Sequence, residues 1–245
     1  MRWRDPEVNM ERAAAMMEGA AAGADLVVLP EMFTTGFDLD PTAGEQEGRS
    51  ALEWMKRQAA RYDAAVAGSV VWMEDGKLYN RLLFVKPDGG WEYYDKHHLF
   101  TFAGEQKRFA AGERRVAVEW RGVRILLQVC YDLRFPVFAR NRDDYDMILY
   151  VADWPKVRAE AWELLLRARA VENVCYVAGV NRAGSDPAHY YGGGSAFVDF
   201  KGREIVRADE GETLLEAEAD MQALRVFRER FPALGDADDF TIEGI

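Results

Sequence analysis

The sequence has few cysteines and histidines and no long apolar run. Its 245 residues include two cysteines and three histidines. Two cysteines cannot form a disulfide framework, and the histidines show no ligand spacing with Cys, Asp or Glu that would indicate a metal site. No stretch approaches the ~20 apolar residues of a membrane-spanning helix, and residues 1–6 lack the apolar core of a signal peptide. These absences favour a cytoplasmic protein with free thiols and no membrane association.

Positive charge is also scarce. Lys and Arg number 31 against 42 Asp and Glu, which gives a net charge of −11. Because nucleic acids and anionic membrane surfaces attract clusters of basic residues, and none occurs here, both are excluded as partners. A small carboxylate substrate remains compatible with this charge if a local Arg or Lys binds it.

Apolar and polar periodicity predicts mixed helices and strands, and the lack of an internal repeat, linker or low-complexity segment predicts a single domain over residues 1–245. Several strands follow one another through tight turns, while others alternate with helices. This pattern favours mixed sheets covered by helices over a purely parallel doubly wound sheet. The predicted helices cover residues 6–23, 50–62, 135–141, 156–173 and 220–230. The predicted strands cover residues 25–30, 65–73, 78–86, 91–95, 115–120, 123–129, 146–151, 175–181, 195–200, 203–208 and 213–218.

Three of these strands end on residues that a thiol nucleophile requires. Glu31, Lys96 and Cys130 each follow the carboxyl end of a strand, where catalytic groups collect in α/β proteins. A thiol is mostly protonated at neutral pH, so a base must activate it. Glu31 is the candidate base. Lys96 and the backbone N–H of Tyr131 are candidate donors to the oxyanion that forms when the thiol attacks a carbonyl or nitrile carbon.

Each of these residues also has an ordinary structural explanation. A lone cysteine at a strand end is typical of a small buried apolar residue, and a lone Glu or Lys after a strand is typical of a solvated loop. The chemistry depends on all three occurring together. The expected reaction forms a thioester at Cys130 and hydrolyses it with water, with Glu31 carrying the proton in both steps.

Three segments resemble the signatures of the nitrilase superfamily of carbon–nitrogen hydrolases. They are Leu-Pro-Glu-Met-Phe at residues 29–33, Tyr-Asp-Lys-His-His-Leu-Phe at 94–100 and Val-Cys-Tyr-Asp-Leu-Arg-Phe-Pro at 129–136. The resemblance extends over nearly the whole chain. It implies an αββα sandwich, a Glu31–Lys96–Cys130 triad, no metal or organic cofactor, and a homodimer whose sheets stack through their helices. It also implies that Glu105 is a supporting acid, although Glu105 alone is equally well explained as an exposed loop residue.

Within the superfamily the chain is most similar to the omega-amidase branch, which implies hydrolysis of the terminal amide of 2-oxoglutaramate or 2-oxosuccinamate to a 2-oxo diacid and ammonia. Such a substrate carries a carboxylate, and Arg134 and Arg182 are the candidate residues to bind it. Either arginine has a structural alternative, namely holding a carboxylate such as Asp132, and this alternative is favoured for Arg134. Phe33 and Trp154 are candidate pocket-lining aromatics and equally well core residues.

The sequence departs from the family pattern in two places. The family's usual first strand precedes the segment that matches residues 3–9, and here that strand is missing. The alternatives are a misassigned start, a truncated fragment, or a genuine chain, for which we expect lost backbone partners and weakened stability or solubility. Asp153 stands where related sequences often carry Asn, and we expect its charge to repel an anionic substrate. Two other functions stay open: hydrolysis of another amide, an N-carbamoyl compound or a nitrile, and a non-catalytic interaction protein with the same fold.

Overall fold

The strands form two main sheets and one small hairpin. The computed structural model of the chain describes residues 1–40 and 44–242, without the side chains of residues 44–46. The first sheet contains β1 (Leu26–Val28), β2 (Ala65–Glu74), β3 (Lys77–Val85) and β4 (Trp91–Asp95). The second contains β5 (Ala117–Trp120), β6 (Val123–Val129), β7 (Met147–Ala152) and β8 (Tyr176–Asn181). After the hairpin of β9 (Ala183–Ser185) and β10 (Tyr190–Gly192), the chain adds β11 (Ala196–Val198) and β12 (Glu204–Arg207) to the second sheet.

The two main sheets are mixed, as the sequence pattern predicted. The first has the order β1-β2-β3-β4, and the second the order β12-β11-β8-β7-β6-β5. The β1–β2, β6–β7 and β7–β8 pairs are parallel, while the other neighbours are antiparallel. In the described part of the chain, β1 is an edge strand that pairs only with β2.

In the ranges that the structure describes, five α-helices accompany the sheets: α1 (Pro6–Ala20), α2 (Gly44–Tyr62), α3 (Pro136–Ala139), α4 (Ala159–Asn173) and α5 (Met221–Arg230). The residues at the start of α1 explain where it begins. The side chain of Asp5 accepts a hydrogen bond from the N–H of Val8, and Pro6 occupies the first helical position, where its missing N–H costs nothing. None of the helices in the described ranges is long and apolar enough to cross a membrane.

Three apolar cores define four layers, helix–sheet–sheet–helix. The central core lies between the two sheets and contains Leu82, Phe84, Leu127 and Leu149. A second core joins the outer face of the first sheet to α1 and α2 through Met17, Met55, Val66, Val70 and Leu83. A third joins the outer face of the second sheet to α4 through Leu126, Ile148, Trp162, Leu166 and Val177. The predicted αββα sandwich is therefore confirmed.

The β2–β3 hairpin shows why the sequence prediction of the strands succeeded. Glu74 pairs with Lys77, and the two residues between them, Asp75 and Gly76, both have positive φ angles, 49° and 73°. Two-residue turns of this kind match the twist of antiparallel strands and favour an Asp-Gly pair. The long apolar strands on either side of such a turn can be read directly from the sequence.

Two predictions of local structure were wrong, and one element was missed. The second helix begins at Gly44 and not at Ser50. Gly48 lies within α2, and its lack of a side chain allows α2 to pack closely on β2. A Cβ atom at this position would lie 2.6 Å from the carbonyl oxygen of Val71. Residues 213–218 form no strand, and the β9–β10 hairpin was not predicted. Pro41, in the predicted loop before α2, lies outside the described residues.

Candidate active site

A cleft of about 250 Å³ is lined by residues that follow the carboxyl ends of four strands. Glu31 follows β1, Lys96 follows β4, Cys130 follows β6 and Asp153 follows β7. All four line the cleft. The structure thus brings together the carboxylate, the ammonium and the thiol that the sequence analysis singled out, although 99 residues separate the first from the last.

Lys96 and two carboxylates form a buried ion cluster at the cleft. Its ammonium Nζ donates to Oε1 of Glu31 at 3.0 Å and to Oε2 and Oε1 of Glu105 at 3.0 and 3.2 Å. The side chains of Glu31 and Glu105 are fully buried and that of Lys96 is 1% exposed. Glu105 is therefore not an exposed loop acid. A buried charge requires such partners, since leaving one unpaired is strongly unfavourable.

The cluster shifts the proton affinities of its members. Burial alone lowers the pKa of Lys96, but the charges of Glu105 and Glu31 outweigh burial and raise it, so Lys96 is an ammonium at neutral pH. Burial raises the pKa of Glu105, with the nearby Lys96 opposing this effect. Lys96 is consequently a fixed positive charge in a low-dielectric site, where its electrostatic effect on a developing anion is large.

Neutral donors complete the coordination of the carboxylates. Asn80 Nδ2 donates to Oε1 of Glu31 at 2.7 Å, and the backbone N–H of Asp153 donates to Oε2 at 2.8 Å. The N–H of Phe100 donates to Oε2 of Glu105 at 2.6 Å. Sequence reasoning missed Asn80, but a signal existed. Asn is depleted in strands, and Asn80 alternates with Leu82 on the face of β3 that points into the central core.

The backbone at Cys130 is held in a sharp turn. Cys130 has a φ of 45°, a left-handed conformation that is uncommon for a non-glycine residue and marks strain at functional sites. Asp132 secures the turn: Oδ2 accepts from the N–H of Val129 at 2.9 Å and from Tyr94 Oη at 2.8 Å, and Oδ1 accepts from the N–H of His98 at 3.0 Å. This arrangement presents the thiol to the cleft from rigid backbone.

Tyr131 is the second residue of the 3-10 turn Cys130–Arg134. The first N–H groups of a helical turn have no carbonyl partner within it. The N–H of Tyr131 makes no backbone hydrogen bond to a described residue outside its own turn. A donor is therefore available beside the thiol.

The thiol of Cys130 is protonated in the resting site. Burial raises its pKa well above the ordinary value, and the charge of Glu31 raises it further, while the charge of Lys96 opposes both. Neither cysteine forms a disulfide. A thiol in this state attacks only if a base removes its proton during the reaction.

Two of the four predicted substrate-binding residues line the cleft. They are Arg134 and Trp154. The guanidinium of Arg134 lies 4.9 Å from the centre of the Trp154 ring. The structural alternative for Arg134 is wrong, because Asp132 is held by Tyr94, His98 and Val129. Among the described residues, no carboxylate pairs with Arg134 within 4 Å.

The other two candidates, Phe33 and Arg182, do not line the cleft, and for Phe33 the core alternative is the one that holds. Phe33 is 2% exposed and packs in the core between the first sheet and its helices, 5.7 Å from the Trp54 ring centre. The N–H of Phe33 donates a hydrogen bond to the carbonyl oxygen of Ser69 on β2, which turns the Phe33 side chain toward this core. Arg182 is buried behind the cleft wall, where Nη1 donates to Oδ2 of Asp153 at 3.1 Å.

Asp153 is a buried acid whose charge has a partner. Its Oδ2 accepts from Arg182 and from the N–H of Phe37 at 2.7 Å, while Oδ1 has no hydrogen-bond partner among the described residues. Burial raises the pKa of Asp153 to about 7, with the charge of Arg182 opposing the shift. The repulsion expected from the sequence is therefore offset by Arg182, and at pH values below 7 by protonation.

Among residues 1–40 and 44–242 no group of three or more His, Cys, Asp or Glu side chains is arranged to hold a metal ion.

Comparison with known proteins agrees with the family resemblance found in the sequence. The family model described as carbon-nitrogen hydrolase matches residues 1–229. The chain is 46% identical to the omega-amidase YafV of Escherichia coli strain K12 over 242 residues, which cover 98% of this chain and 94% of that protein.

Two further relatives agree with these matches. The 2-oxoglutaramate amidase of Bacillus subtilis strain 168 is 35% identical over 238 residues, which cover 94% of this chain and 92% of that protein. The crystal structure of XC1258 from Xanthomonas campestris, a CN-hydrolase superfamily protein with an arsenic adduct in its active site, superposes with a TM-score of 0.94 at 47% identity. That superposition covers 99% of this chain and 95% of the other.

Proposed function

The chain belongs to the carbon–nitrogen hydrolase family, and we propose that its substrates are small 2-oxo acid amides, 2-oxoglutaramate or 2-oxosuccinamate. The protein is an amidase. It releases the terminal amide nitrogen as ammonia and leaves the 2-oxo diacid. The names of the relatives from Escherichia coli and Bacillus subtilis support this substrate class.

The first half of the reaction forms a thioester. Glu31 removes the proton of the Cys130 thiol as Sγ attacks the amide carbonyl carbon. Because the raised pKa of the thiol keeps it protonated at rest, proton removal accompanies the attack. The N–H of Tyr131 and the ammonium of Lys96 stabilise the oxyanion. The carbon–nitrogen bond then breaks, Glu31 gives its proton to the nitrogen, and ammonia leaves.

The second half hydrolyses the thioester. Glu31 removes a proton from water as the water oxygen attacks the thioester carbonyl, and the same oxyanion donors act again. The carbon–sulfur bond breaks, Glu31 returns the proton to sulfur, and the acid product leaves. Glu105 supports both halves as a positioning residue, since it accepts hydrogen bonds from the Lys96 ammonium beside the one that Glu31 accepts.

The observation that carries this proposal is the buried Glu31–Lys96–Glu105 cluster beside the thiol of Cys130 in a single cleft. Ammonia release from a panel of compounds tests the substrate: 2-oxoglutaramate, 2-oxosuccinamate, simple aliphatic amides, N-carbamoyl amino acids and nitriles. We expect the 2-oxo acid amides to have the highest kcat/KM. Equal or better turnover of nitriles or carbamoyl compounds would replace the proposed substrate.

Intact-mass measurement after acid quenching tests the thioester and separates an enzyme from a non-catalytic protein with this fold. During turnover of 2-oxoglutaramate we expect an added 2-oxo acyl group that maps to Cys130. Ammonia release without an adduct under several quench times would contradict the thioester. Absence of both would favour the non-catalytic interaction protein.

We also propose that Arg134 binds the carboxylate of the substrate. It lines the cleft, its guanidinium is partnered by the Trp154 ring and by no described carboxylate, and a guanidinium matches the geometry of a carboxylate. Trp154 is proposed to form the adjoining wall. The 4% exposure of Trp154 means that its ring position is fixed by packing.

The proposed assembly is a homodimer in the cytoplasm. Apolar side chains on the outer helices support the dimer: Val137 on α3 is 56% exposed, and Leu164 and Val171, seven residues apart on one face of α4, are 69% and 52% exposed. Exposed apolar patches of this kind mark protein interfaces. Sedimentation equilibrium should give twice the chain mass, and Leu164→Glu should reduce it to the mass of one chain.

The free catalytic thiol supports a reducing compartment.

A further inference from the structure

Arg158 lines the cleft, although nothing in the sequence singled it out. It ends the 3-10 turn Lys156–Arg158, which leads from β7 into α4. Its carbonyl oxygen accepts a 2.8 Å hydrogen bond from the indole Nε1 of Trp154. The indole that lies beside the guanidinium of Arg134 therefore also fixes the backbone of Arg158.

The guanidinium of Arg158 has aromatic neighbours and no described anionic partner. Its central carbon lies 5.3 Å from the ring centre of Phe100 and 5.8 Å from that of Phe102. No carboxylate within the described ranges pairs with it inside 4 Å, whereas Lys156 in the same turn pairs with Glu210 at 3.1 Å. Aromatic rings beside a guanidinium accept none of its in-plane N–H donors in the way a carboxylate does, so these donors stay free for a planar acceptor.

The other charges that line the cleft have partners. Lys96 is matched by Glu31 and Glu105, and Asp153 is matched by Arg182. Asp186 accepts from Tyr191 Oη at 2.7 Å and from the N–H groups of Ala188 and His189. The permanent cations of the described lining that have no carboxylate partner are thus two guanidiniums, those of Arg134 and Arg158. Together with Lys96 they balance the acids Glu31, Asp153 and Asp186 of the same lining, and the N–H donors of the two guanidiniums are left without a carboxylate partner in a protein of net charge −11.

We propose that Arg158 is a specificity-determining residue that binds the substrate carboxylate together with Arg134. The inference rests on the proposed function and deepens it. In a 2-oxo acid the carboxylate and the adjacent oxo group present three oxygen acceptors, more than one guanidinium can satisfy in its plane. The guanidiniums of Arg134 and Arg158, two residues that both contact the Trp154 indole, provide donors for all three oxygens. The cleft then selects amides whose far end is an anionic 2-oxo acid and rejects those whose far end is neutral.

A pair of substrates that differ only at the far end tests this inference. They are 2-oxoglutaramate and 4-oxopentanamide, which has a methyl group in place of the carboxylate. For Arg158→Met we expect KM for 2-oxoglutaramate to rise about 10-fold or more, the size of a lost charged hydrogen bond, with kcat within about threefold. The kcat/KM for 4-oxopentanamide should stay unchanged, and Arg158→Lys should recover part of the loss. The inhibition constant of the product 2-oxoglutarate should rise in parallel with KM.

Lys156→Met is the matched control, since it removes a cation from the same turn that pairs with Glu210 and does not line the cleft. This variant should leave kcat/KM unchanged for both amides. An unchanged KM and product inhibition constant in Arg158→Met would overturn the inference, and so would an equal loss on both amides, which indicates a structural role. If the unmodified enzyme releases no ammonia from 2-oxoglutaramate, the proposed function itself fails. The inhibition constant of 2-oxoglutarate, measured with any amide that is turned over, then still tests Arg158.

Discussion

Oε2 of Glu31 accepts a 2.8 Å hydrogen bond from the backbone N–H of Asp153. The first residue after β7 therefore holds the carboxylate that follows β1, across the interface of the two sheets. The other oxygen of Glu31, Oε1, accepts hydrogen bonds from the side-chain amide of Asn80 and from the ammonium of Lys96. A base restrained on both oxygens, whose charge acts on the thiol of Cys130, is held in a fixed position before substrate arrives, which favours efficient proton transfer.

Replacing Lys96 by Met should remove activity and weaken the fold. The substitution leaves the carboxylates of Glu31 and Glu105 buried without their cation, and breaking a buried ion pair costs about 3–5 kcal/mol. Loss of an oxyanion-stabilising charge lowers kcat by about 10²–10³-fold or more. Urea denaturation measures the first effect and ammonia release the second. Lys86→Met is the control, because Lys86 pairs with Glu92 near the surface and should cost at most about 1 kcal/mol. Equal stability of the two variants would refute the cluster's role.

Replacing Asp153 by Asn should change how stability depends on pH. The pKa of Asp153 is about 7 in the folded protein and about 3.9 in an unfolded chain. Because the folded value is the higher one, the contribution of Asp153 to stability is fully present below pH 4 and is lost as the pH rises through 7. A tenfold difference in proton affinity between the two states corresponds to about 1.4 kcal/mol. The amide of the Asp153→Asn variant does not titrate, so the native protein should lose stability relative to that variant between pH 5 and pH 8.

Thermal melts of both proteins at pH 5 and pH 8 measure this difference. Asp186→Asn serves as the control of opposite sign. Burial tends to raise the pKa of Asp186, but its hydrogen bonds from Tyr191 and two backbone amides outweigh burial and lower it, so its contribution is present at neutral pH and lost on acidification. Identical pH dependence in the native protein and Asp153→Asn would show that Asp153 does not titrate in this range.

Replacing Phe33 by Ala should damage the fold and leave substrate binding intact. Removal of a buried phenylalanine side chain leaves a cavity and costs about 3–5 kcal/mol. Because Phe33 lies in the core behind the cleft, KM for 2-oxoglutaramate should stay within about twofold at a temperature where the variant is folded. Phe37→Ala is the matched comparison, since Phe37 lines the cleft and should raise KM. The assignment of Phe33 to the core fails if the two variants behave alike.

The residues of this site that could be predicted from the sequence are those that follow the end of a predicted strand. Glu31, Lys96 and Cys130 each follow an apolar run, and the carboxyl ends of strands collect ligands. Arg158 and Asn80 could not be found in this way. Arg158 lies on a turn after β7 with no local signal for where its side chain points, and the meaning of Asn80 depends on Glu31, which is 49 residues away.

The same limit explains the errors. Arg182 follows β8 as a free cation would, but Asp153 is its partner across the neighbouring strand end, and only the β7–β8 pairing reveals that contact. Phe33 belongs to the motif that carries the base, yet its backbone bond to Ser69 places its side chain in another layer. Gly48 resembles a loop glycine and is required in α2 by the close approach of β2. Each of these three errors concerns a tertiary contact that local pattern does not encode.

The most direct test of the account is ammonia release from 2-oxoglutaramate by Cys130→Ala, with folding checked by circular dichroism and melting temperature. If the thiol of Cys130 is the nucleophile, kcat should fall by about 10⁴-fold or more while the fold is retained. A variant that keeps its fold and releases ammonia within about tenfold of the native rate would contradict the account.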